Sequence, residues 1–278
     1  MTSFATSLNT PAPTAYYLAL DEKYYDLDEE EITFFKKQTG IEDDAKLKKH
    51  IIAIQTKAFA IHPYPCIRVF EFARLTLGRL PAYEQLLKLG KERKDAILID
   101  VGCCFGNGIR QAVQDGYPVQ NTLSSDLRGG LWDLGHELFK STPQSFPTSF
   151  VEGNVLDSAF LSSDQFPFTK DSSPPVTAVP SLGTVTSLND LHGHVSAIYT
   201  GHFFHLFSET QQEQIAHGLA GLLSPEPGWK ELCEGIFGVG CVQVKAELGP
   251  PAGGLSFFDM YPENKTLSHR MAWSVTRL

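Results

Sequence analysis

Two acids, one amide and two histidines stand where this sequence can do chemistry, and their spacing gives them meaning. Asp100 ends the apolar run Ala96-Ile97-Leu98-Ile99, and Val101-Gly102-Cys103-Cys104-Phe105-Gly106-Asn107-Gly108 follows at once. Asp126 lies 26 positions further on, closing Ser124-Ser125-Asp126-Leu127. Asn154 and Val155 follow a third apolar stretch, and His202 and His205 follow a fourth, which ends at Thr200. A carboxylate has two oxygens that each accept a hydroxyl proton, so an acid at Asp126 suits a ribose diol. Glycines let a backbone approach its ligand closely, and a helix N-terminus beside them favours a carboxylate or phosphate. A histidine titrates near neutral pH and can take a proton from an acceptor, although a histidine among aromatics also packs as an ordinary core group.

These residues need a frame that brings four strand ends together. A short apolar run bounded by turn residues reads as a buried strand, so Ala96–Asp100 is the first strand and Asn107–Gln114 its crossover helix. The second strand ends at Asp126, the third spans Thr148–Gly153 and the fourth Val195–Thr200. Strand, glycine turn and helix in this order predict an α/β doubly wound fold with the ligand at the carboxyl ends of the strands. The glycines at 102, 106 and 108 miss the G-x-G-x-x-G register of dinucleotide sites, which weighs against a nicotinamide oxidoreductase.

Upstream, the pattern is helical. Asp28 with Glu31 three residues later fits a capping box, and Lys36, Lys37 and Gly40 suit that helix's far end. A second helix is expected over about Asp44–Ile61, with Leu47, Ile51, Ile54 and Ala58 on one face. His62-Pro63-Tyr64-Pro65 breaks it. Another helix is expected through Ile67, Phe70, Ala73 and Leu77, and a last one from Pro81 stops at Gly90. Residues 1–92 therefore form a helical unit and 93–278 the α/β domain, with a Ser/Pro/Thr-rich surface insertion at 162–187. Met1 to Ala15 reads as a loose arm.

The loop from Asp100 resembles the D-x-G-x-G-x-G loop of class I S-adenosylmethionine (SAM) methyltransferases, with Cys104 where the middle glycine usually stands. Taken with Tyr64-Pro-Cys-Ile-Arg68, Leu131-Trp-Asp-Leu-Gly-His-Glu-Leu-Phe139 and Phe203-Phe-His-Leu-Phe207, the chain resembles a fungal branch that methylates meroterpenoid and polyketide metabolites. The resemblance implies a Rossmann-like class I sheet, SAM as cofactor, and O-methylation of a carboxylate or phenol on a small-molecule acceptor. It also implies an N-terminal helical lid, whose Tyr16, Tyr17, Tyr24, Tyr25 and Tyr64 are available to line an apolar cavity. Carried over, the cofactor-binding positions are Asp100, Gly102, Cys103, Cys104, Gly106, Asp126, Leu127, Asn154, Val155 and Thr200, with His202 and His205 facing the transferring methyl group. Asn154 stands where the family has Asp, and keeps a carbonyl acceptor for the adenine amino group.

One element is missing. After Leu222-Leu-Ser-Pro-Glu-Pro-Gly228 the family continues into an apolar fifth strand, but this chain runs directly into Trp229-Lys-Glu-Leu-Cys-Glu234, which reads as a helix. Val239–Leu248 and Met271–Leu278 then read as a closing antiparallel pair. Without a fifth strand, either the last strand moves over to the fourth or backbone groups stay unpaired. A catalytically impaired SAM-fold protein acting as a binding module is therefore the rival to an active enzyme.

Composition bounds the partners. The 278 residues are 42% hydrophobic, enough for one sizeable core, and the net charge is 23 − 32 = −9. Nucleic-acid binding needs clustered Lys and Arg, so no nucleic-acid partner is expected, and no apolar run long enough for a membrane span is present. Five cysteines without a CxxC pair argue against a zinc site or a disulfide framework, so no metal is expected. The expected location is cytoplasmic, with homodimer formation left open.

Overall fold

The structure is a computed structural model that describes residues 19–164, 175, 178–224, 242–249 and 270–277. Four parallel strands, β1 (Ile97–Val101), β2 (Thr122–Asp126), β3 (Ser149–Glu152) and β4 (Val195–Tyr199), form a sheet in the order β3-β2-β1-β4. Parallel pairing brings the carboxyl ends to one edge, so Asp100, Asp126 and Thr200 share a rim with the turn after β3. The order reverses between β1 and β4, which is where ligands bind in sheets of this kind. Every residue of β1 is buried, as its unbroken apolar run requires of a central strand. The Rossmann-like α/β class expected from the sequence is what the chain adopts.

The helices around the sheet follow local chemistry closely. In α1 (Glu29–Thr39), Asp28 and Glu31 form the reciprocal capping box, and Gly40 ends the helix at φ 68°. Then come α2 (Asp44–Ile61), α3 (Pro65–Arg68), α4 (Tyr83–Glu92), α5 (Asn107–Gln114), α6 (Gly129–Leu138) and α7 (Glu209–Leu222). The N-terminal helices share one core with the α/β part. Phe34, Phe35, Leu47, Ile51 and Phe70 pack with Phe105, Leu131, Leu138 and Phe139.

Three expectations change, and two lie outside the described residues. The helix expected through Ile67 to Leu77 stops at Arg68, because the Gln55 amide takes the carbonyls of Ile67 (3.0 Å) and Arg68 (2.9 Å). Phe70 then turns left-handed at φ 60°, its ring fully buried against Tyr25 and Phe72, and a 3-10 turn covers Glu71–Ala73. Nor does α4 end at Gly90: a Cβ there would lie 2.5 Å from the Tyr117 ring, so this glycine permits close packing rather than capping. Likewise, the end of the 162–187 insertion is not simply surface, since Leu182 and Val185 are buried in the main core. Finally, the expected Trp229–Glu234 helix and the N-terminal arm lie outside the described residues.

The fifth strand is represented by one rung. Leu223 makes a single parallel bridge to Val195, and the Ser224 N–H donates to the Val195 carbonyl at 2.8 Å. The expected closing pair is present, as β5 (Val242–Gly249) antiparallel to β6 (Arg270–Arg277), but it forms a sheet of its own. Among the described residues neither strand pairs with β4.

One buried ion cluster joins the helices to the segment that enters the α/β part. The Glu31 carboxylate is fully buried, 2.8 Å from Arg74 Nη1 and 3.2 Å from Arg79 Nη1, and caps its own helix through the Asp28 N–H at 3.1 Å. Removing one partner of a buried pair leaves an uncompensated charge, here that of Arg74, which is only 7% exposed. Glu31→Ala should therefore destabilise the fold by ~3–5 kcal/mol, read as a lower urea midpoint at unchanged slope.

Candidate functional site

The turn after β1 is clamped onto the end of β2. The N–H groups of Gly102 (2.8 Å) and Cys103 (3.1 Å) both donate to the Ser125 carbonyl. The next N–H, that of Cys104, donates to Asp126 Oδ2 at 2.9 Å, and Arg128 N–H donates to Asp126 Oδ1 at 2.9 Å. Asp126 thus faces the glycine turn directly. Gly102 (φ 77°), Cys104 (φ 53°) and Gly106 (φ 75°) all take left-handed backbone. Glycine adopts this freely; at Cys104 it costs roughly 1 kcal/mol. Space is tight as well as curved: a Cβ on Gly102 would lie 2.4 Å from the Phe203 ring, and one on Gly106 would lie 2.6 Å from Trp132.

Two carboxylates lie in this low-dielectric corner. Asp100 is 2% exposed, and burial, with the Asp126 carboxylate adding to it, pushes its carboxyl up to about 8. No basic side chain among the described residues pairs with it. Burial also raises Asp126, against the pull of its backbone donors and Arg128. Two desolvated acids beside a backbone cradle favour a cation that carries hydroxyl groups. A sulfonium nucleoside has both features.

The other carried-over positions divide. Cys103 is buried in the core, and burial holds both its thiol and that of Cys104 well above the ordinary range, so neither is a thiolate nucleophile. Leu127 and Thr200 are half-buried at the rim. Asn154 is exposed, but its side-chain oxygen accepts from the Leu156 N–H at 3.0 Å, which leaves one lone pair and the amide group for a ligand. Val155 buries its side chain with Ile97 and Leu161, so only its backbone can meet a cofactor.

His202 and His205 come together beyond β4, with ring centroids 6.5 Å apart and edge to face. His202 has φ 50°, a conformation that non-glycine residues hold only when their surroundings impose it. Burial, and then His202, lower the proton affinity of His205, which keeps that ring neutral. Sequence reasoning missed the segment lying across these groups. Glu71 Oε2 is 3.8 Å from His202 Nε2, Thr76 Oγ1 is 2.6 Å from the Tyr199 hydroxyl, and the Asn107 amide donates to the Phe72 carbonyl. Nothing local marks Glu71 or Thr76, because their partners lie more than a hundred residues away. Of the tyrosines considered for a cavity wall, Tyr24 stacks on Arg68 and Tyr64 accepts from Arg128 at 3.2 Å, while Tyr16 and Tyr17 lie outside the described residues. No metal-holding cluster of His, Cys, Asp or Glu occurs, and no helix is long and apolar enough to cross a membrane, both among the described residues.

Known proteins carry the same pattern. Residues 20–73 match the meroterpenoid methyltransferase N-terminal domain family. The chain is 30% identical over 210 residues to O-methyltransferase atr3 of Stereocaulon alpinum, covering 76% of this chain and 52% of that one. It is 32% identical over 183 residues to the asnovolin E/chermesin D methyltransferase nvfJ of Aspergillus novofumigatus, covering 66% and 56%. With methyltransferase ausD of Aspergillus calidoustus it shares 29% over 204 residues, covering 73% and 63%. The chain thus spans between half and two thirds the length of these relatives. These matches cover between two thirds and about three quarters of this chain.

The buried acid has a stability signature. A carboxyl whose folded value lies near 8 rather than near 4 keeps its proton in the folded state while the unfolded chain has lost its own. Between those values the folded state binds more protons, so Asp100 subtracts stability progressively as pH rises, and the penalty is complete above about 8. Asp100→Asn should match the parent's Tm at pH 4 and exceed it by at least ~3 °C at pH 9, roughly what 1 kcal/mol gives at this size. Equal pH dependence in both proteins would remove the assignment.

Proposed function

Given a chain similar to fungal secondary-metabolite methyltransferases over two thirds or more of its length, we propose that it is a SAM-dependent O-methyltransferase of a small secondary metabolite. The acceptor is a carboxylate or phenol of polyketide or meroterpenoid type. The observation that carries this reading is the Cys104 N–H to Asp126 hydrogen bond, which joins the glycine turn and the ribose-type acid in one site. Bound there, SAM would supply an electrophilic methyl group that passes in line from sulfur to the acceptor oxygen, the C–S bond breaking as C–O forms.

The chain's own residues supply position and charge. Asp126 would accept from the ribose hydroxyls and the Gly102–Gly106 backbone would let the ligand approach closely, with the Asp100 carboxyl beside them to offset positive charge. Such transfer depends mainly on holding the nucleophile close and collinear. A carboxylate acceptor, with pKa near ~4, is already ionised at neutral pH and needs no base. A phenol, near ~10, gains from a histidine that takes its proton, and His205, kept neutral by its surroundings, is able to do so. In this reading residues 1–92 act as a lid over the acceptor.

A second reading, a SAM-fold protein that binds without turning over, is supported by the outer edge of β4, which among the described residues is paired only at Val195. Product formation decides between them, since any methylated acid or phenol ends the second reading.

Two outcomes follow. Asp126→Ala should abolish SAM binding in a calorimeter, and retained affinity would remove the cofactor assignment. His205→Ala should cost ~100-fold or more in kcat with a phenol acceptor and less than ~3-fold with a carboxylate, which identifies the acceptor class.

A further inference from the structure

The helical unit reaches the far end of β4 at two points: Thr76 meets Tyr199, and Glu71 meets His202. The Thr76–Tyr199 contact is an ordinary hydroxyl hydrogen bond of 2.6 Å. The Glu71 contact differs, because both sides of it rest on unusual backbone. Phe70, immediately before Glu71, has φ 60°, and His202 has φ 50°. Left-handed backbone at a large side chain is strained and persists only where the surroundings over-determine it. Phe70 has such surroundings in its fully buried ring, and its turn aims Glu71 out of the helical core at β4.

The two side chains are partly open, with Glu71 24% and His202 47% exposed. A solvent-facing ion pair of this kind contributes little to folding. The His205 ring stands edge-on to His202, so His202 has a carboxylate at one nitrogen and a second imidazole across its face.

We propose that Glu71 is a positioning residue for His202: its carboxylate accepts a hydrogen bond from the ring Nε2–H, fixing the tautomer so that Nδ1 is the nitrogen left to meet the acceptor. This rests on the methyl-transfer reading above and adds a residue from the lid to it. A carboxylate that orients a working imidazole is a recurrent arrangement, because the bond at one nitrogen decides what the other can do. The gap of 3.8 Å is longer than a hydrogen bond, as is common before the acceptor closes the site.

The test uses Glu71→Gln in the full chain, a change that keeps size and removes charge. Diethyl pyrocarbonate acylates unprotonated, unengaged imidazole nitrogens, and peptide mass spectrometry reads the rate at each histidine. Nδ1 is open in both proteins, so the nitrogen freed is Nε2: relative to His217 on α7, labelling at Nε2 of His202 should rise at least ~3-fold in Glu71→Gln. Equal labelling overturns the proposal, whether or not the protein turns over. With a phenol acceptor, kcat should fall ~10–100-fold while SAM affinity and Tm stay unchanged. The same substitution made in His202→Ala should cost nothing further, because the two residues act as a unit. Independent, multiplying losses, or a fall in Tm that accounts for the lost rate, would make Glu71 a structural contact and overturn the proposal. A chain that binds SAM but forms no product would remove the methyl-transfer reading, and the labelling result would still decide Glu71's hold on His202.

Discussion

Three consecutive backbone N–H groups, those of Gly102, Cys103 and Cys104, all point at the end of the neighbouring strand and find the Ser125 carbonyl and the Asp126 carboxylate. Much of the site follows from that clamp. To aim three successive donors one way the chain must curl, and it does so through left-handed backbone at residues 102, 104 and 106. The curl draws Asp100 and Asp126 into one desolvated corner, where burial raises both and the Asp126 carboxylate opposes ionisation of Asp100. A corner that resists negative charge when alone accepts it readily beside a positive ligand. The same geometry therefore sets both the stability deficit of the fold and its preference for a cation.

The second constraint runs from the helical unit. Glu31 is a capping residue by its place in α1 and an ion-pair hub by its contacts to Arg74 and Arg79. Its oxygen also accepts from the Leu75 N–H at 3.4 Å, so the segment 71–79 is fixed at its far end by α1. At its near end that segment meets α5 through Asn107, β4 through Tyr199, and His202 through Glu71. A helical unit that shares its core with the sheet is part of the fold, and it reaches the carboxyl end of β4 through ordinary packing and hydrogen bonds.

What could be read from the sequence is what local chemistry decides. The Asp28–Glu31 box, the Gly40 terminus, the bounds of α2 and α5 and the acid at the end of β2 depend on neighbours within a turn or a strand, and all are found as expected. The break after Arg68 was not legible, because it is made by a glutamine on another helix and by the burial of one phenyl ring. Arg110 tells the same story. On paper it belongs to the polar face of α5, yet it lies 1% exposed between the rings of Phe139 and Phe146, and burial brings its guanidinium down to about 9. At the site, the turn and Asp126 were visible by spacing. Glu71 and Thr76 were not, since tertiary approach alone gives them a role.

The edge of β4 shows why those tertiary contacts carry such weight here. A strand inside a doubly wound sheet is held on both sides; β4 is held along its length by β1 and on its other side by the single rung at Val195, among the described residues. That rung lies at the beginning of the strand, the end remote from the site. Pro225 and Pro227 follow it, and neither has an N–H with which to extend a ladder. At the carboxyl end Tyr199 is instead fixed by β1 through Asp100 and by the Thr76 hydroxyl, with a Cβ on Gly201 excluded by the Tyr199 hydroxyl 2.5 Å away. In a sheet with a complete fifth strand, the turn carrying His202 and His205 would be braced from the sheet side. In this chain that bracing comes from the helical unit, so the placement of the two histidines depends on segment 71–76 remaining docked.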